Sequence, residues 1–327
     1  MKAILVKDDA AHSFYPAEVP TPKPAPDAVL IKIYATAVNR ADLLQRRGLY
    51  PPPPGESDLF GLEAAGVIVE KGDHVQNWQL GDRVCCLLGS GGYADYVAVH
   101  QDLLLPIPAH LSFEQAAAIP EVFYTAFVNL FLEGELQAGE SLLIHAGGSG
   151  VGTAAIQLAK QAGAKIFITA GSEEKIQRCL SLGADFGINY KTEDFAERIF
   201  QLTGQKGVNI ILDGVGGKYL SPNLSLLQWQ GRLVLIGLLG GAKAEIDLAL
   251  VLRKRLRVIG SVLRSRSLAE KVAITAAFKE KVLPLFLNRQ IHPVIDSVFS
   301  LAEVDKAHAH VAANKNFGKV VLRVRGP

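Results

Sequence analysis

The sequence is short of cysteine, of charge imbalance and of long apolar runs, and each shortage removes a class of protein. Cys85, Cys86 and Cys179 are its only cysteines. An odd number with two adjacent is no disulfide framework and fits a reducing, cytoplasmic setting. Nor do three thiols suffice for a four-cysteine structural zinc site. Lys and Arg total 34 against 32 Asp and Glu, a formal net charge of +2, so nothing in the charge demands a nucleic-acid partner. No stretch approaches the ~18 consecutive apolar residues of a membrane span, which argues against a membrane partner. The opening MKAILVKDDA lacks a long apolar core and carries early acids, unlike a signal or transit peptide.

What is present is ample apolar material, 49% over 327 residues, enough for two domains. The first stretch reads as short strands, Lys2 to Val6, Val29 to Ala35, Ala64 to Val69, Arg83 to Leu87 and Tyr93 to Val99, punctuated by glycines. Pro20, Pro22, Pro24 and Pro26 make the connection between the first two an extended surface segment. From about Ile119-Pro120 the pattern changes to alternating strands and helices. Ser141 to His145, Lys165 to Thr169, Phe186 to Asn189, Asn209 to Asp213 and Arg232 to Ile236 are the strands. Val151 to Ala162 and Glu173 to Leu182 are helices stopped by Gly163 and Gly183. Apolar strands alternating with amphipathic helices predict an α/β domain with a doubly wound parallel sheet. A helix over Leu268 to Leu287 follows, and the tail ends in a strand, Lys319 to Val324. That lone strand needs a partner sheet, so the tail is expected to rejoin the first, mostly β domain. The expected limits are 1–121 and 264–327 for the mostly β domain and 122–263 for the inserted nucleotide domain.

Between the first strand and helix of the inserted domain lies Ala146-Gly147-Gly148-Ser149-Gly150-Val151-Gly152. Glycines there let backbone N–H groups and the helix N-terminus approach a pyrophosphate. The strict glycine fingerprint is broken at Ser149, and a ligand-free tight turn is the alternative. The next strand ends in Ala170-Gly171-Ser172 with no acid at its tip, where NAD-preferring folds place an Asp or Glu. Ser172, Lys175 and Tyr190 instead suit a 2′-phosphate, which a carboxylate repels. Lys175 is also compatible with a merely solvated helix position, and Glu173 and Glu174 with ordinary first-turn acids.

Gly139-Glu140, Leu143, Gly147 to Gly152, Gln157 and Lys160 resemble the signature of the quinone oxidoreductase/zeta-crystallin family. Val38 to Leu43, Arg47 to Gly55, Gly61 to Gly66, Leu80 to Val84, Leu263 to Arg266 and Asn314 to Lys319 extend the resemblance along the whole chain. Within that family they are most similar to the p53-inducible quinone oxidoreductase branch of the zinc-free medium-chain dehydrogenases/reductases. The resemblance implies a GroES-like domain built from both termini around a Rossmann domain, NADPH as cofactor, and a homodimer joined through the Rossmann sheets. It places cofactor contacts at Tyr50, Gly148, Ser149, Gly150, Val151, Ser172, Lys175, Tyr190, Gly237, Leu238, Leu263 and Asn316. It assigns Tyr50 and Asn39 to the wall of the nicotinamide and substrate cleft.

Zinc-dependent relatives carry Cys near position 39 and Gly-His-Glu near 61 to 63, where this chain has Asn39 and Gly61-Leu62-Glu63. No metal is therefore expected. His308 and His310 fall two apart on a predicted helix, facing different ways, and read as surface residues. The expected chemistry is hydride transfer from NADPH to a small quinone. In it Tyr50 either donates a hydrogen bond and proton or serves only as an aromatic wall, and Gly48 to Gly55 is read as a lid. Alternatives are an NADPH-dependent enone or alkenal reductase, or a non-enzymatic crystallin-like or RNA-binding protein. Arg253-Lys254-Arg255 with Arg257, the one basic run, reads as a solvated face.

Overall fold

The computed structural model describes residues 1–10 and 12–326. In chain order the strands are β1 (Lys2–Val6), β2 (Phe14–Glu18), β3 (Ala28–Val38), β4 (Glu63–Lys71), β5 (Arg83–Leu87), β6 (Tyr96–His100) and β7 (Leu104–Pro106), followed by β8 (Ser141–Ile144), β9 (Lys165–Ala170), β10 (Phe186–Asn189), β11 (Val208–Asp213), β12 (Leu227–Leu235), β13 (Arg257–Gly260), β14 (Ile295–Ser300) and β15 (Lys319–Arg323). The chain divides into two compact units, Met1–Tyr124 with Arg264–Pro327, and Thr125–Leu263.

The first unit is a GroES-like, mostly β assembly. Among the described residues its larger sheet runs β14-β15-β3-β4-β5-β7, with β6 also paired to β3, and β1 pairs with β2. β3 is the spine: eleven residues, largely buried, with Val29, Ile31 and Ile33 facing one core. The tail strand finds its partners here, antiparallel to β3 and parallel to β14. The second unit holds a wholly parallel sheet in the order β10-β9-β8-β11-β12-β13. That is the doubly wound Rossmann order, with its switch point between β8 and β11. The strands of its core, Leu143, Phe167, Ile188, Ile211 and Leu233, are fully buried, as a sheet covered on both faces requires.

Two sequence readings change. The helix expected over Leu268 to Leu287 is two helices, Leu268–Lys281 and Leu283–Leu287. Pro284 lacks the N–H that a continuous ladder needs and sits in the first turn of the second helix. His308 is not a surface residue: it is 2% exposed and stacks edge-on against Phe14 and Tyr93.

Candidate active site

In the second unit, the glycine loop leaves the carboxyl end of β8 at the switch point. Ser149, the residue that breaks the fingerprint, is the N-cap of the helix Gly150–Gln161, its Oγ accepting from the Gly152 amide at 3.0 Å. A cap at this position satisfies the third donor of the helix. The amides of Gly150 and Val151 come first in that helix, where no intrahelical carbonyl reaches them. They and the helix dipole form a cradle for an anion. Gly147 has no room for a side chain: a Cβ there would lie 2.8 Å from Ile168 Cβ and 3.2 Å from Cys179 Sγ. The residues present therefore fit a dinucleotide pyrophosphate.

The floor of this loop is a buried polar network. The His145 ring bonds Thr169 Oγ1 at 3.1 Å and Asn223 Oδ1 at 2.8 Å, and Asn223 Nδ2 donates to Asp213 Oδ2 at 3.0 Å. Because the Asn223 amide nitrogen faces Asp213, its oxygen must accept, which assigns the proton to His145 Nε2. Burial lowers the imidazole pKa, opposed by Asp213 and Asn223, so His145 is a neutral tie between the ends of β8, β9 and β11.

At the tip of β9, Ser172 caps the helix Glu173–Leu182, accepting from the Lys175 amide at 3.4 Å. A Cβ on Gly171 would lie 2.7 Å from the Tyr190 hydroxyl and 3.2 Å from Lys191 Cε. Ser172, Lys175 and Tyr190 thus gather around one strand tip, and Lys191 adds a cation that sequence reasoning missed. Gly237 and Leu238 follow β12; Leu238 is 55% exposed, and Leu263 is buried at the end of the unit.

The first unit has its own polar centre. Asn39 caps the helix Arg40–Arg46 at the end of β3, and Glu63 opens β4. Lys319, the first residue of β15, donates to Asn39 Oδ1 at 2.6 Å, Glu63 Oε1 at 2.7 Å and the Val38 carbonyl at 3.2 Å. The ammonium and carboxylate are 3% and 0% exposed. Asn39 Nδ2 donates to Glu63 Oε1 at 2.8 Å. At the positions where zinc relatives carry Cys and His, this chain has Asn39 and the apolar, buried Leu62. Among the described residues no group of three or more His, Cys, Asp or Glu is arranged to hold a metal. Lys319 closes a stretch that carries the family resemblance, but only its place in the fold reveals its partners.

Two acids beside this centre also escaped sequence reasoning. Glu121 donates its amide to Glu63 Oε2 at 2.9 Å. Burial, then the Glu63 charge, raise its carboxyl to about 8. Asp42 is fully buried and raised to about 6, again first by burial.

Tyr50 lies on the loop Gly48 to Gly55, whose end glycines both adopt left-handed φ, 71° and 87°. Arg264 anchors this loop. Its guanidinium donates to the Tyr50 and Gly89 carbonyls at 3.1 and 2.7 Å and to Gln45 Oε1 at 2.7 Å, and lies 5.2 Å from the Tyr50 ring. Burial and Glu121 raise the Tyr50 phenol, against a smaller opposing pull from Arg264, so it remains a donor at neutral pH. Asn316, also in this unit, donates to the Gly318 carbonyl at 2.8 Å.

Residues 25–109 match the alcohol dehydrogenase GroES-like domain and residues 150–283 the zinc-binding dehydrogenase family. The quinone oxidoreductase of Rattus norvegicus is 33% identical over 308 residues, 94% of this chain and 92% of the relative. The structure of Escherichia coli quinone oxidoreductase complexed with NADPH superposes with a TM-score of 0.88 at 30% identity, covering 99% of this chain and 100% of that one. The CurK enoyl reductase structure also gives 0.88, at 28% identity and 98% coverage of both chains. Among the described residues no helix is long and apolar enough to cross a membrane.

Proposed function

Since the chain belongs to the zinc-free quinone oxidoreductase family of medium-chain dehydrogenases/reductases, NAD(P)-dependent oxidoreductases, we propose that it reduces small quinones at the expense of NADPH, without a metal. The observation that carries this reading is Asn39, bonded to Lys319 and Glu63, and the buried Leu62 at the positions where zinc relatives carry Cys and His. In the zinc relatives a bound metal polarises the alcohol oxygen, and here Leu62 offers no ligand atom while Asn39 is held by Lys319 and Glu63. A quinone needs less help, because reduction aromatises its ring.

When bound, NADPH supplies the hydride. The amides of Gly150 and Val151, with Gly148 and Ser149, hold the pyrophosphate. Ser172, Tyr190, Lys175 and Lys191 would read the 2′-phosphate, with Gly237, Leu238 and Leu263 as further contacts from the same unit; in the first unit the resemblance assigns cofactor contacts to Tyr50 and Asn316. Tyr50 keeps its phenolic proton and donates a hydrogen bond, then the proton, to the quinone oxygen. Both Asn39 amide hydrogens have acceptors, Glu63 and the Ala37 carbonyl, so Asn39 acts by positioning charge.

A homodimer joined through the parallel sheet is part of the same reading. β13 ends that sheet, and Leu248, Leu252 and Val258 are 70%, 77% and 41% exposed, an apolar surface beside an unpaired strand edge. A cytoplasmic location is supported by three free, buried cysteines. The enoyl reductase likeness keeps an enone substrate as the second reading. Initial rates with a panel of quinones and enones, each with NADPH and NADH, decide. Faster turnover of enones than of quinones assigns the second reading, and equal rates with both nucleotides remove the NADPH assignment.

A further inference from the structure

Arg264 begins the return of the chain to the first unit and is 6% exposed. Its guanidinium joins three separate stretches of that unit. Nε donates to the Gly89 carbonyl at 2.7 Å, Nη1 to the Tyr50 carbonyl at 3.1 Å and Nη2 to Gln45 Oε1 at 2.7 Å. Cζ lies 5.2 Å from the centroid of the Tyr50 ring, within the range of a cation–π contact. One buried cation thus holds both the backbone and the ring of Tyr50. The loop around Tyr50 depends on such a hold. Gly48 and Gly55 have left-handed φ, and a Cβ on either would meet nothing within 4 Å, so they act as swivels in open space. Pro51 to Pro54 between them are stiff, and a residue before proline keeps to extended backbone. Fixing the Tyr50 carbonyl therefore fixes the direction in which its ring leaves the loop.

We propose that Arg264 is the positioning residue for proton transfer from Tyr50: it sets the ring and stands as the counter-charge for the phenolate left behind. The inference rests on the reductase reading for the role of Tyr50. As the acceptor oxygen takes the proton, the phenolic O–H breaks and the new O–H forms. The electron pair of the broken bond stays on the Tyr50 oxygen, and a proton from solvent restores the phenol before the next turnover. Glu121 is the acid that acts on Tyr50. Its own carboxyl is raised to about 8, so near pH 7 it is mostly neutral, while a guanidinium keeps its charge. Asp42, Glu56 and Glu121 are the acids that act on Arg264, and Lys271 faces Glu56 at 4.0 Å.

The test uses the full chain and has two arms. Arg264→Gln keeps a side-chain N–H donor and removes the charge; Arg264→Lys keeps the charge and gives up the planar fork. The first arm needs no substrate. Tyrosine isotope-labelled at Cζ is titrated to alkaline pH by NMR, the Tyr50 signal being assigned by its loss in Tyr50→Phe. Tyr50 is expected to ionise at higher pH in Arg264→Gln than in the parent, and to return toward the parent in Arg264→Lys. An unchanged midpoint in Arg264→Gln overturns the proposal.

The second arm measures NADPH-dependent reduction of menadione, a fused-ring quinone. Arg264→Gln is expected to lower kcat about 3- to 30-fold, the worth of a cation–π contact, with KM unchanged. In a Tyr50→Phe background it is expected to lower kcat no further. Equal losses with and without the Tyr50 hydroxyl show that Arg264 does not act through it and overturn the proposal. If Arg264→Gln does not fold, Arg264→Lys decides: kcat within about threefold of the parent supports the counter-charge, and a loss as large as that of Tyr50→Phe overturns it. A parent that does not turn over menadione removes the quinone reading and leaves the titration to decide this one, so the two proposals fail separately.

Discussion

Removing the Lys319 ammonium is the most informative perturbation of the first unit. Lys319→Met keeps the aliphatic stem and deletes three hydrogen bonds, at 2.6, 2.7 and 3.2 Å. It leaves the Glu63 carboxylate at 0% exposure with the Asn39 amide and the Glu121 N–H as its donors and Asp42 as a like charge nearby. Breaking one side of a buried ion pair costs about 3–5 kcal/mol. For a domain of this size that lowers the melting temperature by about 6–20 °C. Glu63→Gln in the same chain removes the stranded charge and keeps an acceptor for Asn39, so the double variant should recover part of the loss, by about 1–3 kcal/mol of coupling. Urea unfolding followed by tryptophan fluorescence separates the two units, since Trp78 lies in the first and Trp229 in the second. In a Trp229→Phe background the Trp78 transition should move to lower urea, and in a Trp78→Phe background the Trp229 transition should stay in place. A Lys319→Met transition within about 1 kcal/mol of the parent, the value of an exposed pair, refutes the buried-pair argument.

Three further outcomes follow from the site. Glu121 titrates at about 8 in the fold against an ordinary 4.5, so its contribution to stability is full below pH 4.5 and falls as pH rises to about 8. Glu121→Gln should therefore gain stability relative to the parent progressively across that window; a pH-independent difference in chemical denaturation rejects the raised carboxyl. Lys175→Ala should weaken NADPH about 10- to 150-fold by loss of a charge-assisted bond of about 1.5–3 kcal/mol and barely change NADH, as fluorescence titration will measure; equal losses show that Lys175 does not read the phosphate. Tyr50→Phe should lower kcat by up to the ~2–3 kcal/mol of one donor if the hydroxyl acts on the quinone oxygen, whereas a change in KM alone means that the ring only stacks.

How much of this was legible in the sequence varies with distance along the chain. The strand, glycine loop and helix at the start of the second unit were readable because they are contiguous, within Ser141 to Gln161. Ser149 looked like a defect in the fingerprint and is a helix cap, a role set by φ and ψ rather than by the glycine count. In the first unit Asn39 was singled out and Glu63 and Lys319 lay in stretches that carry the resemblance, but their contact was not legible. Lys319 and Asn39 are 280 positions apart, and only the pairing of β15 with β3 brings them together. His308 was misread for a similar reason: its helix buries it against Phe14 and Tyr93, while a two-residue spacing speaks only of its own helix. The break before Leu283 had a visible cause in Pro284, but the apolar pattern continues across it.

We propose that this chain reduces quinones with NADPH while Asn39 and Leu62 stand where zinc relatives carry metal ligands. The most direct measurement takes one purified sample, determines its zinc by elemental analysis, and records NADPH-dependent reduction of a fused-ring quinone before and after exhaustive chelation. Substoichiometric zinc and unchanged quinone turnover are the expected result. Stoichiometric zinc whose removal abolishes activity, or oxidation of simple alcohols with no quinone turnover, contradicts it.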